Sequence, residues 1–170
     1  MTTETNLLLG ISGLPPESAR NCIQELFPIP NGEFRRSING DLLFLESSKN
    51  RKYKSIISCR DVNSPLADKI WIGSQIIVGC IQNLWQSLAP GETKIQLLRP
   101  PVKDSVFVFN ADGIPEKFNI IDTSVELLKI YGKKIFVSFR PWLTMNVLDF
   151  SLETNEWGMT GCWKLILEEL

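Results

Sequence analysis

The chain has 170 residues, a formal net charge of −1, 44% hydrophobic residues and no histidine. This length suits one domain over residues 1–170 that buries about 70% of its unfolded surface without metal or disulfide support. The near-neutral charge argues against direct nucleic-acid binding, because affinity for a polyanion needs clustered Lys and Arg. The lack of histidine removes the commonest general base and the commonest metal ligand.

Four cysteines stand at positions 22, 59, 80 and 162, without a Cys-x-x-Cys pair that would indicate zinc. Cys59 and Cys80 lie on neighbouring predicted strands, where their side chains can face each other. We expect buried free thiols, because nothing in the sequence indicates export to an oxidising compartment. The apolar run Leu7 to Ile11 is too short for a bilayer span and lacks a basic flank, so it predicts neither a membrane anchor nor a signal peptide.

The N-terminal region predicts a flexible arm over about residues 1–10, with a short strand or extended segment at Leu7 to Ile11. One short helix is predicted from about Glu17 to Leu26. Pro16 suits its first turn, and one face would carry residues at three- and four-residue spacing: Ala19, Cys22, Ile23 and Leu26.

The clearest hairpin signal follows the predicted helix. The runs Phe34 to Ile38 and Asp41 to Leu45 flank Asn39-Gly40. Asn-Gly between two β-capable runs predicts a two-residue type I′ turn, in which both central residues take positive φ.

The central stretch predicts two strands, Lys54 to Arg60 and Gln75 to Leu84, separated by the turn formers of Asp61 to Pro65. The second run has apolar residues on both faces. This pattern predicts a strand covered on both sides, as in a sandwich or an intersubunit sheet.

The remaining chain predicts short strands at close spacing. Trp85 to Thr93 is predicted as a loop. The region Phe118 to Gly132 fits either a helix capped by Thr123 and Glu126 or two strands around residues 122–124, and the β-rich surroundings favour strands. Other predicted strands are Lys94 to Leu98, Val106 to Phe109, Lys134 to Phe139, and the alternating runs with Leu143, Met145 and Val147 and with Trp163, Leu165 and Leu167. Together the segments predict an all-β fold, sandwich or barrel-like, with one short N-terminal helix.

No catalytic, cofactor-binding or metal-binding residue is predicted. The carboxylate pairs Asp61 with Asp68 and Glu153 with Glu156 fit a solvated surface better than acid–base chemistry. The run Ser58 to Asp61 lacks a histidine partner and indicates a core thiol beside a surface ion pair. The five tryptophans favour anchoring of the core and of subunit contacts over stacking on a sugar or nucleobase: 71, 85, 142, 157 and 163.

A set of short motifs resembles a family of short virion structural proteins encoded among the morphogenesis genes of tailed bacteriophages. The resemblance covers both ends and the core, and leaves residues 88–134 outside it. The motifs are Ser12-Gly13 with Pro15 and Ser18-Ala19-Arg20; Arg35 to Gly40; Arg51-Lys52-Tyr53 with Ser58 to Asp61; Pro65, Trp71 and Gly73; Phe139-Arg140-Pro141 before Leu143-Thr144-Met145; Asp149-Phe150-Ser151; Thr154 to Gly158; and Gly161 and Trp163 before Leu167-Glu168-Glu169.

The resemblance implies a virion component, assembled in the host cytoplasm, that binds copies of itself and neighbouring virion proteins. It implies no catalytic residue, cofactor or small-molecule substrate. The expected position is the tail, neck or baseplate. Two alternatives remain open: a head decoration (cement) protein that stabilises the capsid, and a tail module that binds glycans of the host surface.

Overall fold

The structure is a computed structural model that describes residues 5–10, 13–46, 51–157 and 161–170. Within these ranges the regular elements are β-strands and one short 3₁₀ turn, Ala67–Lys69, so the all-β prediction is confirmed. The strands are β1 Leu8–Leu9, β2 Ile23–Pro28, β3 Gly32–Arg36, β4 Leu42–Glu46, β5 Tyr53–Asp61, β6 Gln75–Gly79, β7 Leu84–Leu88, β8 Lys94–Gln96, β9 Phe107–Asn110, β10 Phe118–Ile121, β11 Ser124–Leu127, β12 Ile135–Phe139, β13 Trp142–Thr154 and β14 Gly161–Glu169.

A six-stranded antiparallel sheet forms the larger part of the molecule, in the order β1-β6-β13-β14-β5-β2. Alternate residues of its strands are buried on one face, as the period-two pattern of β13 and β14 predicts. The Gln24 side chain on edge strand β2 accepts hydrogen bonds from the amides of Ile81 (2.7 Å) and Gln82 (3.1 Å), so the chain that follows β6 lies close to β2. The first hydrophobic cluster lies on the buried face and includes Ile57, Val78, Met145, Leu165 and Leu167.

The chain between β6 and β13 builds two three-stranded sheets, β10-β11-β8 and β7-β12-β9. They share a second hydrophobic cluster that includes Val108, Val125, Ile135, Val137 and Phe139. This part is therefore a small β-sandwich. The amide of Val102 donates to the Arg140 carbonyl (2.8 Å), which fastens the sandwich to the chain leading into β13.

The predicted hairpin exists as β3–β4, but its predicted two-residue turn is wrong. The amide of Ser37 donates to the Asp41 carbonyl (2.9 Å), which leaves a loop of three residues, 38–40. Gly40 has a φ of +86°, while Asn39 is not among the residues with positive φ. This is a turn followed by a left-handed glycine, the usual three-residue alternative to a type I′ turn.

The predicted N-terminal helix is wrong. Its region contains a loop and then strand β2. Glu17 and Asn21 have φ values of +58° and +59°, which an α-helix cannot accommodate. Ala19 and Cys22 reach the first cluster from a loop, and Leu26 reaches it from β2. Their three- and four-residue spacing therefore marked buried residues, but these residues are not in a helix.

The range predicted as one strand, Gln75 to Leu84, contains all of β6 and the first residue of β7. The chain leaves the large sheet after Gly79 and enters the sandwich at Leu84, so β7 replaces the start of the loop predicted for Trp85 to Thr93. Ile76 and Val78 are buried, but Ile77 is 46% exposed. Among the described residues, the Ile77 side of β6 is therefore only partly covered.

The part of the predicted arm that the structure describes lies against the large sheet. Leu7 and Leu9 are buried in the first cluster, and β1 pairs with β6. Residues 1–4 of the predicted arm lie outside the described residues. The choice left open for residues 118–132 is resolved in favour of strands, because β10 and β11 form a hairpin around Asp122.

Candidate functional site

The run Ser58 to Asp61 forms a structural ion-pair site. The Asp61 carboxylate accepts hydrogen bonds from the Arg20 side chain (Nη2 at 2.7 Å) and backbone amide (2.8 Å), and from the Val62 amide (2.8 Å). Burial raises the pKa of Asp61, but these hydrogen bonds and the Arg20 charge outweigh burial and hold the pKa below its usual range. The predicted core thiol is confirmed in Cys59, whereas the ion pair is buried at Asp61 and joins it to Arg20.

The other carboxylates weighed for acid–base chemistry lie on the surface. Asp68, Glu153 and Glu156 are exposed, while Asp61 is engaged by Arg20. Across the described ranges, no group of three or more His, Cys, Asp or Glu side chains is placed to hold a metal ion.

All four cysteines are free thiols in the structure. Cys59 and Cys80 belong to the same cluster, but the thiol next to Cys59 is that of Cys22. Burial, and then the Cys59 thiol, raise the pKa of Cys22. Cys162 is half-buried on the opposite face of the sheet and accepts a hydrogen bond from Arg60 Nε at 3.2 Å.

The tryptophans divide between the interior and the surface. Trp163 is buried, and its Nε1 donates to the Ser18 carbonyl (2.7 Å), which fixes the N-terminal loop on the sheet. Trp142 is half-buried. The other three are more than half exposed, and supply apolar surface that no described part of the chain covers: Trp71, Trp85 and Trp157.

The β3–β4 hairpin is an exposed apolar feature. Among the described residues it pairs with no third strand and contributes to neither hydrophobic cluster. Phe34, Leu42 and Phe44 lie on one face, with the Phe34 and Phe44 rings 4.6 Å apart, and Leu43 and Leu45 lie on the other. All five are exposed, so the hairpin presents large apolar side chains on both faces. The sequence contains a signal for this two-sided exposure, because the four residues Leu42 to Leu45 of β4 place apolar side chains on both faces of the strand.

A second exposed surface is the aromatic platform, formed by Trp85, Phe107, Phe109 and Phe136 on the outer face of the β7-β12-β9 sheet. The Trp85 and Phe109 ring centroids are 6.0 Å apart. Register places these residues on three adjacent strands, so the platform could not be assembled from the sequence alone.

A third surface is the Trp71 groove, a cavity of about 330 Å³. It is lined by Ala67, Ile70, Trp71, Ile72, Phe150 and Leu152. Beside it, residues Asp149 to Thr154 of β13 pair with β14 on one side, whereas β6 pairs only with Trp142 to Asn146. Among the described residues, no strand pairs with the other side of Asp149–Thr154. This unpaired side is the open edge of β13.

No helix among the described residues has the length and apolar character needed to cross a membrane. The chain matches no protein-family model, and a search of curated proteins finds no match.

Proposed function

We propose that the protein is a structural component of a tailed bacteriophage particle. It acts in the tail, neck or baseplate by binding copies of itself and neighbouring virion proteins, without catalysis, cofactor or small-molecule substrate. The virion assignment rests on the resemblance of the sequence motifs. The binding role rests on the exposed apolar side chains of the molecule, above all those of the β3–β4 hairpin.

The observation that carries the binding role is the β3–β4 hairpin. An isolated two-stranded hairpin is marginally stable in water, and large contiguous apolar patches are rare on monomers. A hairpin with exposed apolar residues on both faces is therefore suited to burial against another protein. The Trp71 groove and the aromatic platform add further apolar surface of the same kind.

Cryo-electron microscopy of purified particles tests this proposal directly. We expect the chain in the tail, neck or baseplate, at a copy number that matches the symmetry of its surroundings. Density on the capsid surface instead would favour the head decoration protein. Complete particles that lack the chain would contradict both assignments.

The aromatic platform favours a second candidate, the glycan-binding tail module, because sugars stack on exposed rings. Titration with host-surface glycans would quench Trp85 fluorescence in that case. A Trp85→Ala variant provides the control. We favour the structural role, because three of the four rings are phenylalanines and the nearby Asn110 side chain is already bonded to Glu116 and to backbone amides.

A further inference from the structure

We propose that the β3–β4 hairpin of one copy docks on a second copy of this chain, where it adds a strand to the open edge of β13 beside the Trp71 groove. This inference rests on the proposed self-association and gives it a geometry: a donor hairpin and a separate acceptor site on every copy.

The hairpin carries enough apolar surface for such a contact. Five apolar residues of its strands are between 38% and 69% exposed, and Ile38 at the tip is fully exposed. At about 200 Å² for a large apolar side chain, they offer roughly 700 Å² over both faces and the tip. A standard protein interface buries about 800 Å² on each partner.

The acceptor combines free backbone with an apolar groove. Phe150 and Leu152 pair with the buried residues Leu165 and Trp163, so their side chains share that face of the sheet with the Trp71 groove. Asp149, Ser151 and Glu153 point to the other face. An added strand would form main-chain hydrogen bonds with the open edge and insert alternate side chains into the groove, as in β-strand addition.

Donor and acceptor match in length. Each hairpin strand has five residues, and the open edge has six, 149–154.

The hairpin does not pair with the open edge of its own chain in the structure. It leaves the sheet near Pro28 and Tyr53, which pair at one end of β5. The open edge runs, through its pairing with β14, from the level of Ile56 to that of Asp61 at the other end of β5. The proposed contact is therefore between copies and head to tail, a type that closes into rings or extends into filaments.

The aromatic platform is a poorer acceptor along β9, because the backbone of that edge strand already has partners in its own chain. The Glu116 amide donates to the Val108 carbonyl (2.8 Å), and Phe109 forms an isolated bridge with Pro115. Along β7, the Leu98 amide donates to the Gln86 side chain (3.1 Å), which brings residue 98 beside that strand.

A mixing experiment tests the head-to-tail contact. The donor variant carries Phe34→Asp and Phe44→Asp, and the acceptor variant carries Trp71→Ser and Leu152→Asp. A control carries Ile121→Asp and Ile130→Asp, at exposed apolar positions outside both sites. Circular dichroism checks that each variant keeps the fold, and sedimentation velocity over a wide concentration range measures assembly.

We expect the wild type and the control to associate beyond the dimer, and each site variant to associate at least about tenfold more weakly. An equimolar mixture of the two site variants should form a one-to-one dimer and stop there, because only one intact donor meets one intact acceptor. A mixture that stays monomeric, or an acceptor variant that assembles like the wild type, overturns the inference.

Hydrogen–deuterium exchange on the wild type provides a readout that needs no substitution. On assembly, amides of residues 149–154 and of one hairpin strand should exchange more slowly. Unchanged exchange there in an associated sample overturns the docking but leaves self-association standing. A wild type that remains monomeric at every concentration overturns the docking together with the self-association in the proposed function.

Discussion

Asp61 shows at the scale of one residue how the N-terminal loop is held on the sheet. Its carboxylate lies at the end of β5 and receives both the side chain and the backbone amide of Arg20, which is 41 positions away in the sequence. The sequence contains both charges, but nothing in their spacing indicates that they meet. This contact therefore could not be predicted, while the buried thiol of Cys59, two residues before Asp61, could be predicted from its place in an apolar strand.

We expect Asp61→Asn to lower the free energy of unfolding by roughly 2–3 kcal/mol, because it weakens several charge-assisted hydrogen bonds in a buried position. Glu33→Gln is the matched control, because it removes an exposed pair with Arg35 and should change stability by less than about 0.5 kcal/mol. Urea denaturation measures both. Equal effects of the two substitutions would contradict the structural role of Asp61.

The lowered pKa of Asp61 gives the same contact a pH dependence. Its stabilisation is complete above the unfolded-state pKa of about 3.9 and disappears as the pH falls through the lower folded-state pKa. The wild type should therefore lose more stability than Asp61→Asn between neutral pH and strongly acidic pH. Denaturation curves recorded at a series of pH values decide this, and parallel losses in the two proteins would refute it.

The thiols give a second prediction at this scale. We expect all four cysteines to react in denaturant with or without prior reduction, because the structure has them free. In the native protein Cys80 should react slowly at mildly alkaline pH, because burial raises its pKa to about 11 and leaves little thiolate. Thiol titration followed by peptide mapping measures both. A cysteine that becomes reactive only after reduction would contradict the first expectation.

At the scale of elements, the period-two pattern was reliable where one face of a strand is buried. The alternation of Leu143, Met145 and Val147 predicted β13 because those residues face the first cluster. Residue patterns failed where buried residues lie in a loop, as Ala19 and Cys22 do. They also could not place the turn after Gly79, because residues on both sides of this turn are apolar and the chain passes there between two sheets.

Gly79 offers a test of how closely β1, β6 and β13 pack. A Cβ atom there would lie 3.0 Å from Leu8 Cβ and 3.1 Å from the Trp142 ring. We expect Gly79→Ala to cost about 1–3 kcal/mol, because these neighbours must move. Gly132→Ala is the control, since its Cβ would meet no atom within 4 Å. Thermal unfolding compares the two, and a neutral Gly79→Ala would mean that β1 is loosely held.

At the scale of the whole molecule, two hydrophobic clusters are joined at a few polar and backbone contacts. Glu169 at the end of β14 is central to them. Its carboxylate accepts from Arg99 Nε in the sandwich (2.5 Å) and from the Tyr53 amide in the large sheet (2.9 Å). Arg99 also donates to the Arg51 carbonyl (2.9 Å). These partners are far apart in sequence. Residue patterns therefore predicted most strands of both parts, but neither β2 nor β7, and did not predict how the parts are connected.

We expect the Arg99–Glu169 pair to couple the two parts. Glu169 is nearly buried and Arg99 mostly so, which makes the pair stronger than an exposed ion pair. Arg99→Leu and Glu169→Gln should each destabilise the protein by roughly 1–3 kcal/mol. The double variant should lose clearly less than the sum of the two, because both substitutions remove the same contact. Hydrogen exchange should also become faster in residues 97–102 in each variant. Strictly additive losses with unchanged exchange there would show that the backbone bonds at Val102 and Trp142 hold the sandwich in place without this ion pair.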